Sequence, residues 1–195
     1  EKLPIEAGLY VWITTSYLVS STVMVPIWGK LSDVIGRRRV LIAGIVVFLA
    51  GSALCGTSTT ATQLIIYRAI QGLGSASIFT SAFAIVGDMF APRERGRLNG
   101  FFGAVFGMSS VIGPLVGGFI TDNYGWSWCF YVNVPVGLFA AAVIWALYRK
   151  RETPSRKLPV DKVGLFSLIV WVGALQILLD KGKDLDWFHS PVIVA

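Results

Sequence analysis

Charge is what this sequence has least of. Only 14% of its 195 residues are Asp, Glu, Lys or Arg, against about a quarter in a soluble domain. Hydrophobic residues make up 54%, and mean hydropathy is +0.67. Acidic residues are scarcer than basic ones, 11 against 17, and none lies inside a long apolar run. Histidine occurs once, at His189 in a polar stretch, and reads as a surface residue without a role. Cysteine occurs twice, at Cys55 and Cys129, which excludes a disulfide framework. Both fall near the predicted outer ends of their apolar runs, where they either bridge or pack as small apolar residues. With no His-Glu-x-x-His string, no Ser/His pair within a run and no metal-ligand cluster, the sequence reads as neither an enzyme nor a metal or cofactor protein.

What is present in abundance is long apolar runs. Leu9–Trp28, Val40–Gly56, Gln63–Val86, Leu98–Ile120, Ser127–Leu147 and Val163–Leu179 are each near the 20 residues that cross about 30 Å of hydrocarbon. Glu1–Gly8 is polar and does not read as a cleavable signal. Trp12 and Trp28 sit near the two ends of the first run, at the depth indole rings prefer. Pro26 is expected to bend the end of that run by freeing the Thr22 carbonyl, and Pro114 the fourth run by freeing that of Ser110. The net charge of +6 would suit nucleic acid, but basic residues are confined to short connectors, which favours a membrane.

Arg37, Arg38 and Arg39 place one connector on the side where arginine accumulates, because each charge at the bilayer centre costs several kcal/mol. Alternation then assigns every other connector. Lys30, Arg37, Arg38, Arg39, Arg93, Arg95, Arg97, Arg149, Lys150, Arg151, Arg156, Lys157 and Lys162 fall inside; only Lys2, Lys181 and Lys183 fall outside. The runs were chosen by hydropathy alone, so the bias is an independent check. The Arg149–Lys162 stretch reads as topology and lipid headgroup contact.

Within the first connector, Gly29-x-Leu31-Ser32-Asp33-x-x-Gly36-Arg37-Arg38-x-x-Leu41 resembles the loop motif between helices 2 and 3 of the major facilitator superfamily, with Val34 where that motif carries a basic residue. The resemblance implies a conformational latch of Gly29, Asp33, Gly36, Arg37 and Arg38, with Asp88 as a further member. Arg68 is the one cation inside a predicted span. It shares a helix face with Gln71, Gly72 and Ser75 at i+3, i+4 and i+7. It faces either a cavity or a paired acid, or it snorkels to the outer surface. Arg68-x-x-Gln71-Gly72 resembles the superfamily's fourth-helix motif, which implies proton coupling. Gly72-x-Gly74-x-x-Ser77 imitates a phosphate loop, but no strand precedes it.

In the fourth run Gly103, Gly107, Ser110, Pro114 and Gly117 fall on one seam, which would let a neighbouring helix approach closely. Gly100, Gly113, Pro114, Gly117 and Gly118 match the fifth-helix motif of the superfamily's antiporters, with Ser109 replacing one glycine. Trp128-x-Phe130-x-x-Asn133-x-Pro135 and the stretch from Leu175 to Phe188 resemble the fourteen-helix drug:proton antiporter branch, of the EmrB type.

The expected fold is therefore an all-α polytopic membrane bundle holding helices 2 to 7 of the superfamily's N-terminal half. Residues 1–148 would be the bundle lacking helix 1, 149–162 a cytoplasmic basic linker, and 163–195 the truncated start of two extra helices. The resemblance implies a proton-coupled antiporter of the bacterial inner membrane that exports drugs or other amphipathic or cationic compounds. Its partners would be the lipid bilayer, substrate, protons and a periplasmic membrane-fusion adaptor, with no nucleic acid. The alternatives are a superfamily transporter of an amino acid, sugar or siderophore, and a membrane enzyme or sensor. No span holds a carboxylate that could carry the proton, and the resemblance puts that acid in the absent first helix.

Overall fold

The computed structural model describes residues 7–148 and 161–181, so the stretch from Arg149 to Val160 and His189 lie outside the described residues. Every described element is helical: α1 Ala7–Ile35, α2 Arg37–Thr57, α3 Ala61–Met89, α4 Pro92–Tyr124, α5 Trp128–Tyr131, α6 Asn133–Tyr148 and α7 Lys162–Lys181. Five stretches are long and apolar enough to cross a membrane, α5 and α6 counting together as one; α7 has a shorter apolar stretch, Val163–Leu179.

The apolar runs are where expected, but the helices outrun them. The Gly29–Leu41 connector is not a loop. Helix α1 continues through Pro26 to Ile35, and α2 begins at Arg37. The whole reversal falls on Gly36, whose φ of 106° is open to glycine and strained for residues with a Cβ. Helices therefore carry Asp33 and Arg37 on rigid backbone up to a one-residue corner. Trp28, expected at headgroup depth, instead donates its indole N–H to the Leu73 carbonyl at 2.7 Å, because α1 runs on for nearly two more turns and leaves it within the α1–α3 interface.

Helix α3 is central, packed along α1 on one side and α2 on the other, with α6 against α2 and α7 against α1. The contacts are close because the facing residues are small. A Cβ at Gly51 would lie 2.6 Å from the Gln71 backbone nitrogen, and one at Gly72 would lie 2.6 Å from the Tyr17 carbonyl and strike Ser20 Oγ. In lipid, where apolar burial drives little helix association, such approach is what holds helices together. At the end opposite Gly36, Thr60 accepts the Gln63 N–H and Gln63 Oε1 accepts the Thr59 N–H, at 3.2 and 3.1 Å, so the α2–α3 turn caps itself without charge.

Helix α4 stands apart from this packing. The glycine seam of α4 meets no neighbour among the described residues: a Cβ at Gly100, Gly103, Gly107, Gly113, Gly117 or Gly118 would have nothing within 4 Å, and no residue of α4 is buried. Among the described residues the close packing on glycine is at α1–α3 and α2–α3. Helix α4 also runs unbroken through Pro114 for 33 residues. The fifth run, by contrast, is not one helix: α5 ends at Tyr131 and α6 starts at Asn133. Pro135 supplies no N–H for the Tyr131 carbonyl and its ring crowds that oxygen, so the ladder breaks one turn before it.

Candidate functional site

The charged corner brings together residues from three helices. Arg37 donates Nε to Asp88 Oδ2 at 2.9 Å and pairs Nη2 with Asp33 Oδ1 at 3.0 Å. Its Nη1 donates to Ser32 Oγ at 2.7 Å, and that hydroxyl donates to the Gly29 carbonyl, also at 2.7 Å. One guanidinium thus holds the end of α1, the start of α2 and the end of α3. Its carboxylate partners are 45% and 40% exposed while Arg37 itself is 17% exposed, so water screens each pair. Pairs of that kind contribute about 0.2–1 kcal/mol each. Moving a two-state equilibrium from 1:99 to 99:1 needs about 5.5 kcal/mol. The cluster can bias one arrangement of these helix ends, and it can be broken.

Arg38, grouped with this cluster from the sequence, is not in it. Its guanidinium lies 4.2 Å from the centre of the Trp145 ring on α6, a cation–π contact. Two participants were missed. Ser32 is 1% exposed and braces the guanidinium from below; in the sequence it passes for a small residue beside Asp33. Arg95, counted only as a topological charge, donates Nη2 to the Gly87 carbonyl at 2.6 Å and Nε to that of Phe90 at 3.0 Å, satisfying acceptors at the C-terminus of α3. Arg37 and Arg95 thereby both bind the same end of α3, which puts two basic connectors at one end of the bundle, as alternation requires.

Twenty residues, or about 30 Å of helix, separate Asp88 from Arg68 on α3. Arg68 does not snorkel outward. Its Nη1 donates to Gln71 Oε1 at 2.8 Å and its Nε to the Ile13 carbonyl at 3.4 Å, while the guanidinium carbon lies 4.2 Å from the Tyr17 ring centre and 5.9 Å from that of Phe130. No carboxylate pairs with it among the described residues. The Tyr17 hydroxyl meets Ser75 Oγ at 2.7 Å, and Ser75 lines a cavity of about 510 Å³ with Ser21, Thr22, Val25 and Phe79 between α1, α3 and α7. The cation therefore stands behind a tyrosine whose other end touches a mostly apolar, hydroxyl-dotted cavity. Gly72 takes part by absence of a side chain, admitting α1 close enough for Tyr17 to reach Arg68.

The antiporter-motif residues Gly100, Gly113, Pro114, Gly117 and Gly118 lie on α4, apart from both clusters; Gly113 and Gly117 line a cavity of about 430 Å³ with Cys129 and Val132. Cys55 and Cys129 are both free, Cys55 fully buried.

The sequence model of the Major Facilitator Superfamily matches residues 3–190. Multidrug resistance protein 3 of Bacillus subtilis is 46% identical over 185 residues, 94% of this chain and 36% of that protein. The multidrug export protein EmrB of Escherichia coli is 32% identical over 183 residues, again 94% of this chain and 36% of its own length. The chain thus spans about a third of the curated relatives it matches. A crystal structure of the peptide transporter POT in complex with alafosfalin superposes with a TM-score of 0.67 at 23% identity, over 92% of this chain and 39% of that one. Membrane-length helices, one arginine-rich end and a family match over nearly the whole length have one reading. This chain is a multi-pass membrane segment, and it belongs to the Major Facilitator Superfamily.

Proposed function

We propose that the transporter containing this chain is a proton-coupled antiporter that exports drugs or other amphipathic or cationic compounds across a bacterial inner membrane. The single observation that carries the proposal is Arg68, a permanent cation within a membrane helix whose partners are a carbonyl, an amide and two aromatic rings instead of a carboxylate. Guanidinium does not deprotonate, so Arg68 cannot carry the proton. What it can do is set the proton affinity of a carboxylate brought near it and repel a cationic solute until that carboxylate is ionised. The relatives named for multidrug resistance and export support the cargo class.

In this reading residues 1–148 are the N-terminal bundle, 149–162 a basic linker on the cytoplasmic side, and 163–195 part of the extra helices, the first of them Val163–Leu179. Asp33, Arg37 and Asp88, braced by Ser32 and turned by Gly36, form the latch that favours one arrangement of the inner helix ends. The Gly100–Gly118 seam of α4 serves antiport, and a periplasmic adaptor completes an export path. The test uses the full-length transporter: ethidium efflux should depend on an imposed proton gradient and vanish with Arg68→Ala, while the variant still inserts. A relative named for fatty acid resistance, 33% identical, favours a second reading in which an anionic amphipath uses Arg68 as its counter-ion. Then fatty acid, not ethidium, would be moved, and Arg68→Ala would raise its KM.

A further inference from the structure

Ser52, on α2, is fully buried and makes three hydrogen bonds with one hydroxyl. It donates to the Phe130 carbonyl at 2.9 Å, and it meets Gln71 Nε2 at 3.1 Å and Asn133 Nδ2 at 3.2 Å. The direction of each bond follows from valence. A carbonyl can only accept, so the one hydroxyl proton goes to Phe130. Both amides must then donate to Ser52. Asn133 is held to that choice independently, because its amide nitrogen also faces the Cys129 carbonyl at 3.4 Å, another pure acceptor. Gln71 is likewise held from both ends: its NH2 is taken by Ser52, so its carbonyl oxygen must face Arg68, a pure donor.

We infer that Ser52 and Asn133 are positioning residues that fix the orientation of the Gln71 amide and so aim an acceptor at the Arg68 guanidinium. Three elements supply the hub: α2 gives Ser52, α3 gives Gln71, and the α5–α6 break gives the Phe130 carbonyl and Asn133. Gln71 is 2% exposed, and its NH2 is taken by Ser52. Without the hydroxyl one of the two ends that hold the amide is released, and the shortest hydrogen bond of Arg68 is left to orient Gln71 alone. A flipped amide would present two donors to a cation.

The inference rests on the coupling role proposed for Arg68, and the experiment separates the two. In full-length transporter reconstituted in vesicles, Ser52→Ala is expected to lower the maximal rate of ΔpH-driven ethidium efflux about tenfold, the size of one misdirected hydrogen bond. The ethidium KM should stay within about twofold, and the pH profile of efflux should shift. Because Ser52 acts through Gln71, the same change in a Gln71→Ala background should cost nothing further. Ser52→Cys, with a poorer acceptor in the same volume, gives the same test if Ser52→Ala does not reach the membrane. Additive losses in the double variant, or a wild-type rate and pH profile in Ser52→Ala while Arg68→Ala abolishes coupling, would overturn the inference and leave the Arg68 reading standing. Unchanged ΔpH-driven efflux in Arg68→Ala would overturn that reading, and the inference with it.

Discussion

Two arginines about 30 Å apart along one bundle are held in opposite ways. Arg37 sits at a helix corner against two carboxylates that are nearly half exposed. Arg68 sits inside the membrane span, against a carbonyl, an amide and two aromatic faces. The first has its charge neutralised and its bonds screened by water, so it can be made and broken at low cost. The second has no carboxylate partner among the described residues and lies in a low-dielectric setting, where a nearby titrating group would feel it strongly. A charge that must let go belongs at the surface; a charge that must tune another group belongs where nothing else screens it.

The widest separation between the two should come from Arg68→Ala, which is expected to reduce ΔpH-driven efflux by about a hundredfold or more, the range of a lost buried charge. Arg68→Lys should rescue little, since an ammonium cannot bond Gln71 and Ile13 while stacking on Tyr17. Retention of wild-type flux in the lysine variant would mean that charge alone suffices. Next in size is Gly72→Val. Its side chain would drive α1 from α3 and take Tyr17 off Arg68, at about 1–3 kcal/mol of overpacking. Thermal unfolding in detergent would read it, and coupling should fall with stability.

Arg37→Ala is expected to slow turnover about three- to tenfold with normal insertion, consistent with losing two screened ion pairs. Asp88→Asn should do less, because Asp33 and Ser32 still hold the guanidinium. If Asp88→Asn equalled Arg37→Ala, the α3 contact would be the whole latch. The smallest effect belongs to Trp145→Ala, which removes the stack under Arg38 at about 0.5–1 kcal/mol. It should leave efflux near wild type and lower thermal stability slightly.

How much of this was legible in the sequence differs between the two regions. The Arg37 cluster could be read almost whole, because Asp33, Gly36 and Arg37 are adjacent and Asp88 falls at the same end by alternation. Ser32 and Arg95 escaped, since neither a serine that braces a guanidinium nor an arginine that caps a helix end has a distinguishing spacing. The Arg68–Gln71 pair was legible as i, i+3 on a helix. Its supports were not. Ser52, Tyr17 and Asn133 come from other helices, and nothing local marks a hydroxyl as a hub. The helical character of the Gly29–Leu41 connector was hidden because charge was taken to mean loop, whereas helices simply extend beyond the hydrocarbon. The break at Val132 did have a signal in Pro135. The α4 seam was read as a surface that a neighbouring helix could approach, and among the described residues a Cβ on its glycines would meet nothing within 4 Å.

The most direct measurement compares two assays on reconstituted full-length transporter: ethidium counterflow at equal pH, and ethidium efflux driven by ΔpH. With Arg68→Ala, counterflow should persist while the response to ΔpH disappears; with Arg37→Ala, both should slow by the same factor. An Arg68→Ala protein that still follows the proton gradient, or one that loses both assays together as Arg37→Ala does, would contradict the division of labour between the two arginines.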